Sequence, residues 1–351
     1  MSHAKELTKQ FNEFHTYNNV YDDALDGWLH QSYADVLKAG KDVDWRTTYF
    51  SPSSAGQCPR ALYHKAKRHK KDPKVWQPHQ RRWVEIGTGI GDMVQREMLL
   101  MGRHFKKFTG KDPQYTMGMV DGKPAFEEFV FKQEKVTHNG QDFSILGTTD
   151  GLMTVTGTEE IVGLEVKSKQ QTPSKTSLTA MKEAQDDHIK QVICYSIMYG
   201  VNDFVIMYVN AAHKAWEMTE EDFQKTPDIR LFDVKVTDSD REDMLDFFAD
   251  IARRIKEEDP PLPDLAKWKF NEYKDTISKS LTDEEMASLE MVNGFLKEAQ
   301  PVWMQKQMDR CYYRGHLHLD PGFRAWQLQR GYLDRCHHDH RRVLHHVECP
   351  G

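Results

Sequence analysis

No segment of this chain is apolar for long enough to cross a membrane. The longest apolar stretch, Val192 to Val209, is broken by Asn202 and Asp203 and switches from a helical to a strand pattern at Gly200. The opening Met-Ser-His-Ala-Lys-Glu lacks the apolar run of a signal peptide, so the expectation is a cytoplasmic protein. Five cysteines, odd in number and irregularly spaced, exclude a secreted disulfide framework. There is no internal repeat and no excess of positive charge. A net charge of −6 gives no overall attraction to phosphate, so any polyanionic partner must be met by local basic patches. What the chain does have is length and balance: 351 residues, 29% charged and 38% hydrophobic, suit a globular protein with a polar surface and room for one large or two modest domains.

Residues 150 to 167 carry the clearest chemistry. An apolar run ends at Asp150, a turn-rich spacer containing Gly157-Thr158 follows, and then comes Ile161-Val-Gly-Leu-Glu165-Val-Lys167. Side chains alternate along a strand, so Glu165 and Lys167 share one face while Leu164 and Val166 point into a core. If the preceding strand pairs back through Gly157-Thr158, Asp150 reaches the same point, where two carboxylates meet one ammonium. Two hard oxygen donors suit Mg²⁺ or Mn²⁺. An exposed strand face with a surface ion pair is the alternative use of the same residues.

The order of elements predicts an α/β fold, a mixed central sheet flanked by helices, with helical additions at both ends. Aromatic residues three to four apart near the start predict packed helices over 1–45. One helix is expected from Ser51 or Ser53 through Tyr63 to Lys70, and another over about Gln80 to Met101, where Gly87, Gly89 and Gly91 would allow close contact with the sheet. Strands are expected at Ala125–Lys132, Phe143–Leu146, Phe204–Val209, Ala215–Met218 and Ile229–Val236, and helices at Leu178–Tyr199 and Asp238–Glu257. Pro260-Pro-Leu-Pro263 marks a boundary, giving an N-terminal helical extension (1–45), a core (46–260) and a C-terminal helical, Cys/His-rich extension (261–351). A basic stretch, Arg60, Lys65, Lys67, Arg68, Lys70, Lys71 and Lys74 against the single acid Asp72, is either a phosphate-tracking arm or a solvated helix end.

The Asp150…Glu165-Val-Lys167 pattern resembles the PD-(D/E)XK nuclease superfamily. His188-Ile-Lys-Gln191-Val-Ile-Cys-Tyr195 is similar to the Gln-x-x-x-Tyr helix of its RecB-like branch, and Cys58-Pro59-Arg60-Ala-Leu-Tyr63 to the Cys-Pro-Arg-x-x-Tyr opening found in CRISPR-associated and phage exonucleases. The resemblance spans roughly residues 50 to 260. It implies a restriction-endonuclease-like core and a DNA nuclease, more an exonuclease than an endonuclease, serving recombination, repair or degradation. It also implies DNA as a partner, with a recombination or replication protein as a possible second, and host cytoplasm as the location if the chain is phage-encoded. Asp150, Glu165 and the Val166 carbonyl would hold Mg²⁺ or Mn²⁺, Lys167 would position the attacking water, and Gln191 and Tyr195 would hold the scissile strand or the lysine. The family often carries a histidine in a Gly-x-x-x-His arrangement, whereas Gly91 follows Gly87 here; Asp92, Gln95 or Glu97 are the substitutes within reach. That departure leaves open an inactive nuclease-fold protein that binds DNA or a protein partner.

Some members of that branch hold a [4Fe-4S] cluster with one cysteine from the Cys-Pro-Arg motif and three near the C-terminus. Cys58, Cys311, Cys336 and Cys349 match in number but not in spacing. Cys336, His340, His345 and Cys349 form two x3-spaced pairs that suit Zn²⁺ instead. The tail from Cys311 holds seven of the seventeen histidines, a composition that also occurs without metal. Cys194 is expected to be a buried core residue.

Overall fold

The computed structural model describes residues 2–285, except 75, 213, 265, 266 and 268–270. Two compact units divide the chain, residues 1–56 with 74–250, and residues 57–73 with 251–351. In chain order the elements are α1 (His3–Phe14), α2 (Asp23–Ala39), β1 (Tyr49–Phe50), α3 (Pro59–Ala66), α4 (Pro78–Thr109), β2 (Tyr115–Met117), β3 (Met119–Val120), β4 (Lys123–Pro124), β5 (Lys132–His138), β6 (Gln141–Gly147), β7 (Gly151–Val155), β8 (Ile161–Lys169), α5 (Asp186–Tyr199), β9 (Asp203–Asn210), α6 (Glu220–Lys225), β10 (Ile229–Lys235), α7 (Asp238–Glu257) and α8 (Lys274–Lys279). The fold is α/β with mixed sheets flanked by helices, as the element order predicts.

The larger unit is organised around a five-stranded sheet of order β10-β9-β8-β7-β2, in which β8 and β9 run parallel and the other neighbours antiparallel. A second sheet, β1-β6-β5, and the hairpin β3-β4 complete the strands of the described residues. The apolar stripe of α1 (Leu7, Phe11, Phe14) and that of α4 (Ile90, Val94, Met98, Met101) close over the Val162, Leu164 and Val166 face of β8 and form one continuous core with it. Ser2 caps α1 by accepting from the Lys5 N–H. Helix α4 starts with Pro78 at its first turn and a reciprocal Gln77/Gln80 capping box, and stops at Gly110, whose φ of 75° needs no Cβ.

Several elements depart from the sequence reading. The helix expected from Ser51 to Lys70 is split into a 3-10 turn at Pro52–Ser54 and α3. Pro59 keeps Cys58 out of the helical region (φ −55°, ψ 129°), so the turn cannot propagate. Ala125–Lys132 is not a strand. Glu127–Val130 forms a 3-10 turn, Glu127 takes φ 44°, and its N–H donates to the Thr149 carbonyl at 2.8 Å; the strand is β5 instead. Helix α5 begins at Asp186 rather than Leu178. The partner of β9 is β10, while Trp216, fully exposed, leaves Ala215–Met218 no apolar face to bury. Gly89 and Gly91 have open space where a Cβ would stand, and of the three only Gly87 closely approaches the sheet, where a Cβ would lie 3.1 Å from the Ser168 Oγ.

Gly163 fixes the parallel pairing that carries the site. A Cβ there would sit 2.1 Å from the Phe204 ring, its register partner on β9. Gly163→Ala is therefore expected to destabilise the protein by about 1–3 kcal/mol through overpacking. Phe204→Leu should restore part of that loss, both being read by urea denaturation; an unchanged midpoint for the single variant would contradict this packing.

Candidate active site

The turn at Gly157, with φ 80°, folds β7 back on β8, and Gly151 lies opposite Leu164. One step beyond that rung, the ladder sets Asp150 beside Glu165. The Val166 N–H donates to the Asp150 Oδ2 at 2.7 Å and locks the carboxylate to the strand. Glu165 is buried, 1% exposed, and pairs with the Lys167 Nζ. Lys167 in turn donates to the Gln191 Oε1 at 2.9 Å, and the Gln191 Nε2 donates to the Tyr195 hydroxyl at 2.8 Å. Gln191 and Tyr195 are both buried, one turn apart on α5, so the relay Tyr195–Gln191–Lys167–Glu165 is fixed by helix periodicity on one side and strand alternation on the other.

On the opposite side Gln95 of α4, also buried, donates from its Nε2 to the Asp150 carbonyl at 3.0 Å and to the Glu127 Oε1 at 3.2 Å. Glu127 was absent from the residues singled out in the sequence. Its carboxylate accepts from Gln95, is hydrogen-bonded to the Tyr33 hydroxyl, and feels the charges of Asp92 and Asp150. His188 lies one turn before Gln191, but its Nδ1 meets the Tyr208 hydroxyl at 2.8 Å, and burial holds its pKa down at about 4. Cys194 is buried in the same helix, as the sequence suggests, and burial pushes its thiol pKa up.

Two buried oxygens here lack any hydrogen-bond partner, the Glu165 Oε2 and the Gln95 Oε1. Orphaned acceptors of this kind are costly unless something else meets them. The Glu165 oxygen stands beside the Asp150 carboxylate, and two carboxylates together are hard oxygen donors of the kind that fit a divalent cation. The electrostatics agree: burial first, then the neighbouring Asp150, pushes Glu165 up to about 8, and burial likewise raises Asp150. A second group of metal-type side chains, His138, Glu242 and Asp246, has its ligand atoms within 4.8 Å of one another on the surface. The His138 Nε2 and Asn139 Nδ2 both already bond the Asp246 Oδ1 at 2.7 Å.

The basic stretch belongs to the smaller unit. Arg60 is fully buried and donates to the Glu285 Oε1 and the Ser280 carbonyl, each at 2.6 Å. Lys67 reaches Glu258 at 3.4 Å and Lys71 reaches Glu272 at 2.5 Å. Lys65 is half-buried, and Arg68 and Lys70 are exposed. Cys58 is buried, and its Sγ accepts from the Asp264 N–H at 3.1 Å. Cys311, Cys336 and Cys349, with His340 and His345, lie outside the described residues.

No known protein family matches the chain, and no curated protein does. Similar solved structures include SSO0001, at 11% identity over 74% of this chain and 98% of its own, with a TM-score of 0.39. An alkaline exonuclease, LHK-Exo, from Laribacter hongkongensis aligns at 13% identity over 64% of this chain and 95% of its own, with a TM-score of 0.34. The same enzyme in complex with dAMP gives 12% identity and 0.34 over 61% and 90%.

A carboxyl whose folded pKa lies above its unfolded one keeps its proton in the fold across the interval between the two. The metal-free protein is therefore expected to lose stability as pH rises from 4.5, the ordinary value for Glu165, to about 8, and to level off above that. Glu165→Gln should flatten most of this slope and raise stability at high pH, measured by urea denaturation in EDTA on both sides of that window. An undiminished slope in the variant would place the strained carboxyl elsewhere.

Proposed function

We propose that this chain is a metal-dependent deoxyribonuclease of the PD-(D/E)XK type, an exonuclease, with its catalytic core within residues 46–260. One observation carries the reading: Asp150 and Glu165 stand side by side against a single ammonium, with a buried Glu165 oxygen left unsatisfied. Asp150, Glu165, the Val166 carbonyl and Gln95 are the residues to hold Mg²⁺ or Mn²⁺, with Gln95 standing in for the histidine that the resembling family often uses. A divalent ion held there would supply charge relief at the scissile phosphate and acidify a water.

The chain's own residues do the rest. Lys167 orients the attacking water and stabilises the negative charge it acquires. Gln191, fixed by Tyr195, sets the position of that ammonium, so Gln191 and Tyr195 are positioning residues in this account. Glu127 holds the Gln95 amide and thereby sets where its free oxygen points. DNA is the substrate that suits this chemistry; of the basic stretch, Arg68 and Lys70 are exposed, whereas Lys71 is engaged by Glu272 and Arg60 is buried. A structural [4Fe-4S] cluster or Zn²⁺ in the Cys/His-rich extension is a separate proposal, read by iron and zinc content of the purified protein.

Cleavage of end-labelled linear and covalently closed circular DNA, with Mg²⁺, Mn²⁺ or EDTA, tests the assignment. Linear substrate should be degraded and circles spared, only with metal, and Lys167→Ala should lower the rate by about 10²–10⁴-fold. Cutting of circles would make it an endonuclease. Undiminished cleavage by the variant would refute the role of Lys167, and absence of wild-type cleavage with DNA binding retained would show a binding protein.

A further inference from the structure

Lys169 is a half-buried cation that no acid neutralises. It lies two residues beyond Lys167 on the same face of β8, a step of about 6.5–7 Å along a strand. Its Nζ donates to the Gln185 Oε1 at 3.0 Å and stands 4.9 Å from the centre of the Tyr208 ring. Both partners are neutral, and no carboxylate pairs with Lys169 among the described residues. Burial first, then the charges of Lys167 and Lys175, pull its pKa down. Lys175 belongs to the turn Pro173–Thr176, which the buried Asn210 ties to β9: the Asn210 Nδ2 meets the carbonyls of Thr172 and Pro173, each at 3.0 Å. Cations that repel one another are thus kept together next to the Asp150 and Glu165 pair.

His188 stands against the same tyrosine. Tyr208 is fully buried, and its hydroxyl accepts the Gln185 N–H at 2.9 Å, so its own proton goes to the His188 Nδ1 at 2.8 Å. That bond places the imidazole proton on Nε2, at the end of the ring turned away from Tyr208. Burial and the charges of Lys167 and Lys169 hold the ring neutral, with a pKa of about 4, and Asp187 offsets only part of this. The result is a neutral N–H donor on a half-buried side chain, beside an ammonium that lacks a counter-ion.

We propose that Lys169 and the His188 Nε2–H form a phosphate subsite, one step along the DNA strand from the scissile phosphate at Asp150 and Glu165, with Lys175 at its rim. This rests on the nuclease reading of that site. The ligand follows from chemistry: an oxyanion with several acceptor oxygens takes bonds from an ammonium and a neutral N–H at once, and it supplies the negative charge that the half-buried Lys169 lacks. The step from Lys167 to Lys169 is close to that between successive phosphates of a strand, so one strand sets a phosphate at each. A terminal phosphate and an internal linkage present the same oxyanion there.

The test is binding of short linear oligodeoxynucleotides in Ca²⁺, each carrying one uncharged methylphosphonate linkage at a successive position or lacking the terminal phosphate. The wild type should lose affinity when one particular phosphate is neutralised or removed. Lys169→Met should weaken binding of the unmodified strand by about tenfold and be indifferent to that same phosphate, with its melting temperature unchanged or raised. His188→Asn keeps an acceptor for the Tyr208 hydroxyl but removes the outward N–H, so it should show part of the same loss; a histidine that only packs would leave the sensitivity profile as it was. Sensitivity at the end identifies a terminal phosphate as the ligand, and sensitivity inside the strand a diester linkage. A wild-type profile that persists in both variants would overturn the subsite even if the protein cleaves DNA. If the profile depends on Lys169 yet no metal supports cleavage, the subsite stands and the nuclease reading falls. No binding of any strand by the wild type would overturn both.

Discussion

Asp150 and Glu165 share the end of one antiparallel ladder, in surroundings that hold little water, and their mutual repulsion is the constraint around which the larger unit is organised. Left alone, two such carboxylates would not both ionise. The protein answers with one ammonium, one backbone N–H and the side chains that position the ammonium: Lys167 on Glu165, the Val166 N–H on Asp150, and behind the lysine Gln191, which accepts from it, with Tyr195 accepting from Gln191. Burial still wins at Glu165, whose carboxyl is pushed up to about 8. A cation bound beside them would let both carboxyls ionise, and the proposed activity starts from that unmet demand.

Much of this pair was legible in the sequence because strand chemistry is short-range. Alternation puts Glu165 and Lys167 on one face, and the Gly157 turn brings Asp150 alongside, so three residues within eighteen positions define their own geometry. Gln191 and Tyr195 were legible for the analogous reason on a helix. Glu127 was not. Its place depends on a left-handed φ and on a backbone bond to Thr149, neither of which leaves a mark on the residue types, and the run Ala125–Lys132 reads as strand until that bond breaks it. Gln95 stands between these cases: the helix row from Gly91 points to it, but only tertiary structure shows its amide at Asp150.

Charge illustrates the same limit in the smaller unit. Arg60 belongs to a run of seven basic residues that reads as a surface arm, yet it is fully enclosed and bonded to Glu285 and Ser280, partners more than two hundred positions away. Composition reports how many cations a segment has; it does not report which of them the fold consumes. The converse holds on α4, where the apolar Trp83 and Ile86 stay about half exposed.

Anomalous diffraction from crystals soaked in Mn²⁺ tests the central claim most directly, because the described residues also offer a rival set of ligands on the surface. An ion bonded to Asp150 and Glu165, with the Gln95 or Val166 oxygen in its shell, is the expected result. Manganese only at His138, Glu242 and Asp246, with none between Asp150 and Glu165, would contradict it.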